Sequence, residues 1–166
     1  MTNVVQQEQR LSRTTTKSPS AQLNDFMAKY SPEVAAAAKA ALVRMRRLVP
    51  GAVELVYDNY NGLVVGFCPS ERASEAVLSI VLYPRWITLC FLQNGPTLPD
   101  PAGLLKGSGS RVRNVRLASA KDLDLPPVRA LIDSALSVAA EPIDRSGRRR
   151  LVIKSISAKQ RPRRPT

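Results

Sequence analysis

The stretch of this chain best suited to binding chemistry is rich in glycine and flanked by cations. From Asp100 it reads DPAGLLKGSGSRVR. Successive glycine amides can form a concave nest for an anion, and the neighbouring Lys and Arg side chains would add positive charge. The spacing of a P-loop is absent, because Lys106 precedes its glycine instead of following it. The alternative is a connecting loop that needs positive φ. The residues predicted to bind a small anion are Lys106, Gly107, Gly109, Arg111 and Arg113.

A second charged feature is the run of cations near the end of the sequence. Residues 144–166 hold nine Lys and Arg against one Asp, in a chain whose net charge is +12. Such a segment attracts polyphosphates through the release of counterions. It has no aromatic residue from Arg145 onward, so the segment itself offers no base stacking. A nucleic-acid contact here would be non-specific and steeply salt-dependent. The alternative is a solvated tail that either aids solubility or contacts acids of its own domain. The residues predicted to make the contact are Arg148, Arg149, Arg150, Lys154, Lys159, Arg161, Arg163 and Arg164.

No pattern of residues indicates catalysis or a resident metal. The chain has no histidine, which removes the commonest general base and the commonest metal ligand. Glu54 and Asp58 share one face of a predicted strand but lie about 13 Å apart, too far for one ion. The predicted register sets Cys90 opposite Ser79 and Cys68 opposite Ala76. The two sulfurs are then two strands apart, too far for a disulfide, and Cys68 has no neighbouring base. We therefore predict a protein that is not an enzyme, with no catalytic residue, no metal ligand and no cofactor.

Apolar residues recur with a helical period in three segments. The first is expected to begin at a Ser20 cap, and the second at a Ser31 cap followed by Pro32. Pro50-Gly51 is expected to end the second helix. The third helix is expected to be capped by Asp124 and to bury one apolar stripe.

Between the second and third helices the apolar period changes from 3.6 to 2, which predicts strands. Asn61-Gly62 predicts a hairpin turn, because both residues tolerate positive φ. Short connections join antiparallel neighbours, and a charged strand suits the edge of a sheet. The fold class is therefore α+β, a two-layer sandwich in which N- and C-terminal helices pack on an antiparallel sheet of about five strands. The expected strands are 52–58, 63–68, 76–83, 86–93 and an edge strand at 111–118.

The distribution of charge and apolar residues predicts three parts. Residues 1–20 are expected to be a flexible arm, 21–143 the α+β domain and 144–166 a basic tail. Residues 150–156 of this tail are a candidate for one extra strand. The domain is long enough to bury its own core. Without a membrane-length apolar run or a signal-peptide core, the protein is expected to be cytoplasmic, with no membrane contact and with reduced cysteines.

Three long runs resemble the YdhG-like superfamily, small bacterial domains mostly of unknown function. The runs are ELVYDNYNGLVVGF at 54–67, LYPRWITLCFLQNG at 82–95 and LPDPAGLLKGSGSRVRNVRL at 98–117, within a likeness that covers most of 30–156. The resemblance implies a curved antiparallel sheet with helices packed on it. One branch resembles frataxin and is described as intracellular iron chaperones, which would imply ferrous iron as cargo. That branch carries a Gly-Thr-Ile-Arg-Phe-like segment where this chain has 113–117, so we transfer the fold and no iron ligand.

These observations together predict a non-enzymatic binding module for a small anionic ligand or a protein partner. One alternative is a frataxin-like intracellular iron chaperone, for which iron would be the cofactor. The other alternative is non-specific contact with nucleic acid through the basic tail. The identity of the ligand and the oligomeric state, including a homodimer, stay open.

Overall fold

The computed structural model describes residues 17–166, so most of the arm predicted over 1–20 lies outside the described residues. The described part is an α+β fold of three helices and a six-stranded sheet. The helices are α1 (Pro19–Ala28), α2 (Pro32–Leu48) and α3 (Pro126–Ser137). The strands are β1 (Val53–Asp58), β2 (Leu63–Cys68), β3 (Leu78–Leu82), β4 (Ile87–Phe91), β5 (Arg113–Leu117) and β6 (Arg150–Ile156). None of the described helices is long and apolar enough to cross a membrane.

The starts of the first two helices follow ordinary capping chemistry. Ser31 caps α2 as predicted, since its hydroxyl accepts a hydrogen bond from the Val34 amide at 3.3 Å. The cap of α1 is Ser18 and not the predicted Ser20, because the helix begins two residues earlier and the Ala21 amide donates to the Ser18 hydroxyl. A proline at the first position makes this earlier start favourable.

The start of α3 differs from the prediction. Asp124 does not cap it, because this residue ends a short 3₁₀ helix and Leu125 occupies the cap position without a side-chain hydrogen bond. Prolines fill the first two helical positions, and a proline has no amide hydrogen that a cap would need to satisfy. The Asp124 carboxylate instead pairs with Arg44 of α2 at 3.1 Å.

The sheet has the strand order β5-β4-β3-β2-β1-β6 and is mixed. Strands β1 to β5 form the expected antiparallel meander, with β5 at one edge. The prediction of a purely antiparallel sheet of about five strands is wrong, because β6 pairs with β1 in parallel at the other edge. A long connection that contains α3 carries the chain across the sheet, and parallel pairing requires such a crossover.

The turn between β1 and β2 forms where it was expected but with a different backbone conformation. The Asn59 amide donates to the Gly62 carbonyl at 3.0 Å and closes the turn. Gly62 does not have positive φ, which among the described glycines occurs only at Gly51, Gly103 and Gly107. A Cβ at Gly62 would lie 2.6 Å from the Leu82 carbonyl oxygen. Glycine is therefore required here by the close approach of β3.

The main core lies between the helices and one face of the sheet. From β1 that face receives Val56, and from β2 it receives Val65 and Phe67. Side chains alternate along a strand, so Glu54 and Asp58 point to the same face as Val56. Both carboxylates are fully buried, with 0% of their surface exposed. The fold thus places two negative charges inside the core, and cations must reach them.

Candidate functional site

The glycine-rich loop satisfies many of its polar groups internally. The Asp100 carboxylate accepts hydrogen bonds from the amides of Leu104 and Leu105, each at 2.9 Å. Lys106 and Asn114 exchange backbone hydrogen bonds of 2.8 and 2.9 Å. Gly107 has a φ of 121°, which a side chain would rarely adopt. These contacts agree with the alternative interpretation, a connecting loop that needs positive φ.

Of the five residues predicted to bind an anion, Gly107, Gly109 and Arg113 lie together in this loop. The Arg113 guanidinium turns into the loop and donates to the carbonyl of Val112 at 2.9 Å and to that of Gly109. The side chains of Lys106 and Arg111 are exposed. The loop therefore offers two solvated cations, and the third is engaged by backbone oxygens.

The buried carboxylate of Glu54 is held between a helix and the C-terminal segment. Arg46 of α2 forms a fork with both carboxylate oxygens, with N···O distances of 2.9 to 3.2 Å. Arg149, just before β6, donates to the second oxygen at 3.0 Å. Two-point guanidinium contacts of this kind are stronger and more specific in geometry than ordinary hydrogen bonds. Glu54 therefore ties β6 to β1 and α2.

The buried carboxylate of Asp58 has the same arrangement at the other end of β1. Lys29, which follows α1, donates to one oxygen at 2.6 Å, and Arg163 donates to the other at 3.0 Å. Arg163 is itself buried, with 6% of its surface exposed, and also donates to the carbonyls of Asn59 and Tyr60. The end of the chain is therefore anchored beneath the β1–β2 turn.

Tyr30 supports this anchor from the helix side. Its hydroxyl donates to the Leu82 carbonyl at 3.1 Å and accepts from the Leu63 amide at 3.0 Å, so it links β2 and β3. The Arg163 guanidinium lies 5.7 Å from the centre of its ring. Burial raises the pKa of the Tyr30 phenol, although the nearby Arg163 charge acts in the opposite direction. Tyr30 therefore stays neutral and serves as a structural hydrogen-bonding group.

The cations predicted as nucleic-acid contacts have different environments in the folded chain. Arg149 and Arg163 pair with buried acids, and Arg150 pairs with the exposed Glu71 at 2.8 Å. Lys154 donates to the Glu71 carbonyl at 3.3 Å. Much of the tail's charge is therefore engaged within the fold. The remaining members are Arg148 and Lys159, which are exposed, and Arg161 and Arg164, which line a pocket beside the C-terminal segment.

A pocket of about 530 Å³ lies where the C-terminal segment meets two hairpin turns. Its lining includes the aromatic side chains of Tyr83 and Trp86 and three arginines, Arg85, Arg161 and Arg164. Among the described residues that line it there is no Asp or Glu. By contrast, a second pocket of about 450 Å³ beside α3 has both an acidic and a basic side chain in its lining. A third pocket, of about 210 Å³, is also lined by cations, but its Arg46 and Arg149 pair with Glu54. The first pocket is therefore distinguished by arginines that form no ion pair with any Asp or Glu of the described residues.

The aromatic rings of this pocket are held by packing. The rings of Tyr83 and Trp86 are 6.0 Å apart and inclined at 49°. Arg116, which lies on β5, places its guanidinium 3.7 Å from the centre of the Trp86 ring. Arg161 lies 5.6 Å from the centre of the Tyr60 ring and donates its backbone amide to the Tyr60 carbonyl at 2.9 Å. Such cation–π contacts orient arginines without neutralising them.

The two cysteines are structural. The predicted pairing of Cys90 with Ser79 is confirmed, and both cysteines are free thiols. Cys68 was expected opposite Ala76, but Phe67 pairs with Leu78, so the register differs by one residue. Burial raises the pKa of the Cys68 thiol to about 12 and also raises that of Cys90. Neither sulfur is therefore a thiolate near neutral pH, as a nucleophile must be.

Metal-ligating side chains do not cluster in residues 17–166. No group of three or more His, Cys, Asp or Glu in this range is placed to hold an ion. Glu54 and Asp58 each already have two cationic partners. A metal ion at either carboxylate would have to displace these partners.

The pocket itself is the feature that the sequence did not predict. Its parts come from the segments NYNG, YPRW and RPRRP, which lie far apart along the chain. Each segment places an aromatic ring or an arginine among turn-forming residues. Aromatic residues in polar turns were a usable signal, but only the folded chain brings the three segments together.

Comparison of the chain with protein-family models, with curated proteins and with solved structures gives no significant match in any of the three. The resemblance to the YdhG-like superfamily therefore stays a prediction from the residues alone.

Proposed function

We propose that this chain is a non-enzymatic binding module that takes an anionic ligand in the pocket between its C-terminal segment and its two hairpin turns. The observation that carries this proposal is the lining of Arg85, Arg161 and Arg164 with no acidic side chain among the described residues. Guanidinium groups present a planar fork of donors that suits phosphate and carboxylate oxygens. An anion is the ligand that would balance this local charge.

The arginines of the pocket are also partly positioned before any ligand binds. The Arg164 side chain donates to the Lys29 carbonyl at 3.3 Å, and Arg161 lies over the Tyr60 ring. Arg163 between them is fixed to buried Asp58. Binding of a ligand here would therefore cost less conformational entropy of the arginine side chains than binding to a free basic tail. The glycine-rich loop lacks this advantage, because its Arg113 already donates to loop carbonyls.

No observation favours iron as the ligand over an anion. The resemblance to frataxin-like iron chaperones supplies that alternative, and it requires carboxylates that face a ferrous ion. The two buried carboxylates of β1 are bound by cations, and the lining of the pocket is cationic. Both features favour an anion.

The proposal is tested by titrating the full chain with tripolyphosphate at low salt. Trp86 is the only tryptophan of the chain and lines the pocket, so its fluorescence reports on this site. Calorimetry on the same samples measures the affinity independently. We expect saturable binding that Arg85→Gln and Arg161→Gln each weaken about tenfold, the loss of roughly one charged hydrogen bond.

Two matched variants serve as controls. Arg111→Gln removes an exposed cation of the glycine-rich loop, and Arg148→Gln removes an exposed cation of the tail. Both should bind tripolyphosphate as the unmodified chain does. Weakening by Arg111→Gln alone would move the site to the loop, and absence of saturable binding by calorimetry would overturn the proposal.

A further inference from the structure

We infer that the ligand of this pocket combines a phosphate with an aromatic base, as a nucleoside phosphate unit does, either free or within a single-stranded nucleic acid. This inference rests on the proposed function, because it names the chemistry of the anion bound at the same site. Three features of the pocket support it: its rings, its size and the placement of its charges.

The rings are the first feature. Tyr83 and Trp86 both line the pocket, although an inorganic anion would gain little from aromatic surface. The Trp86 ring carries the Arg116 guanidinium at 3.7 Å, which restricts its motion. A base that stacks on a held aromatic ring loses less entropy than one that must first order the ring. Stacking on aromatic side chains is the main sequence-tolerant way in which proteins bind unpaired bases.

The size of the pocket and the ring outside it are the second feature. Its volume of about 530 Å³ lies within the range of roughly 300–1,000 Å³ typical of small-ligand sites. Tyr60 lies next to it and is 49% exposed, with the Arg161 guanidinium 5.6 Å from its ring centre. This half-exposed ring extends the aromatic surface beyond the pocket. A single strand could therefore place one base in the pocket and a neighbouring base on Tyr60.

The placement of charge is the third feature. Arg85 lies on one side of the pocket in the turn before β4, and Arg161 and Arg164 come from the C-terminal segment. Many other cations of the tail are already paired with acids or carbonyls of the fold. Contact through about three phosphates predicts that the logarithm of affinity falls with that of salt with a slope near −2. A free tail with all nine of its cations available would give a slope several units steeper.

The test compares ligands that differ only in their bases. A short single-stranded oligonucleotide and an abasic strand with the same number of phosphates are titrated into the full chain, followed by fluorescence anisotropy of an end label. Stacking predicts that the strand with bases binds about five- to 150-fold more tightly. Adenosine monophosphate and ribose 5-phosphate form the second pair, which separates a free nucleotide from a strand as the source of the base.

Variants locate the base. Tyr60→Ala should weaken the oligonucleotide more than the mononucleotide, because Tyr60 lies outside the pocket. Trp86→Phe keeps a ring and should weaken binding less than Trp86→Ala, while thermal unfolding checks that each variant is folded. Lys159→Gln, an exposed cation of the tail, is the matched control and should leave the preference for bases unchanged.

The outcomes separate this inference from the proposed function. Equal affinity for the ligands with and without a nucleobase, together with saturable binding of tripolyphosphate, would overturn the inference of an aromatic ligand. The anion site of the proposed function would then still stand. A preference for bases that Trp86→Ala and Tyr60→Ala leave unchanged would also overturn the inference. Failure of every anion to bind would overturn the proposed function itself.

Discussion

Each buried carboxylate of β1 is matched by one cation from a helical segment and one from the C-terminal segment. Arg46 and Arg149 hold Glu54, and Lys29 and Arg163 hold Asp58. An unpaired charge in a protein interior is strongly destabilising, whereas a fully paired one is close to neutral. These acids therefore decide where the last residues of the chain must lie.

Removal of Arg163 tests this role at the scale of one residue. We expect Arg163→Met to lower the free energy of unfolding by about 2–3 kcal/mol, because buried Asp58 keeps only the partly exposed Lys29. The double variant Asp58→Asn/Arg163→Met should recover part of this loss, since no charge is then left uncompensated. Denaturant unfolding measures both. Arg148→Met, an exposed site, should change stability by less than about 0.5 kcal/mol, and an equal effect at both arginines would contradict the anchoring role.

The buried thiol of Cys68 predicts a dependence of stability on alkaline pH. Its folded pKa is raised to about 12 by burial, whereas an unfolded cysteine titrates near 8.5. The group's contribution is therefore complete below about pH 8.5 and is lost as the pH rises toward the folded pKa, at about 1.4 kcal/mol per unit. Denaturant unfolding at about pH 8 and about pH 10 measures how far the free energy of unfolding falls between these two values. We expect this fall to be smaller by about 1–2 kcal/mol in Cys68→Ala than in the unmodified chain. Identical losses in the two proteins would show that the folded thiol is not shielded.

At the scale of elements, the helices differ in how their first turns are satisfied. The Ser31 hydroxyl accepts from an amide of α2, whereas α3 begins with two prolines and has no side-chain cap. The charged residue before α3 contributes only a surface ion pair with Arg44. Surface pairs of this kind add little to stability.

A pair of alanine variants tests that difference. Ser31→Ala should lower the free energy of unfolding by about 1 kcal/mol, the usual effect of losing a cap. Asp124→Ala should lower it by less than about 0.5 kcal/mol, because only a surface ion pair is lost. Urea unfolding at neutral pH distinguishes the two. A larger effect at Asp124 would mean that this residue, and not proline, fixes the start of α3.

The C-terminal segment behaves as part of the domain at the scale of the whole molecule. It supplies β6, which extends the sheet beside β1, and two of the cations that neutralise the buried acids. It also fits closely against the end of α2, because a Cβ at Gly51 would lie 2.2 Å from the Asp144 carbonyl oxygen. The segment is therefore expected to fold cooperatively with residues before it.

Truncation tests this cooperativity. A chain that ends at Ile143 should lose at least about 10 °C in melting temperature, because one edge strand and two buried ion pairs disappear together. A chain that ends at Ala158 keeps β6 and the Arg149 ion pair, and it loses the Arg163 anchor with the hydrogen bonds of Arg161 and Arg164. Its loss should therefore be smaller. Thermal unfolding followed by circular dichroism compares the melting temperatures of the full chain and the two truncated chains. An unchanged melting temperature in the shortest chain would show that residues 144–166 are an appendage, as their charge alone suggests.

Much of the local structure was determined by the sequence itself. The Ser31 cap, the helical stripe after it and the apolar character of the strands are properties of neighbouring residues, so they could be predicted without the fold. The glycine-rich loop was also located correctly, although one of its three cations, Arg113, donates to carbonyls of the loop. The turn at Gly62 was predicted correctly, but the reason given for glycine there, positive φ, was wrong. Glycine is needed because the Leu82 carbonyl of β3 comes so close.

The tertiary structure alone decided the partners of the charges and the position of the candidate site. Glu54 and Asp58 are ordinary strand residues in the sequence, and their cations lie up to 105 positions away. The parallel pairing of β6 depends on a crossover that carries the chain over the whole sheet. The same crossover brings tail arginines without aromatic neighbours in sequence against Tyr60, Tyr83 and Trp86. A buried charge is neutralised by whichever residues the fold brings near it, however far away they are in the sequence. For that reason the pattern of residues along the chain did not predict these partners.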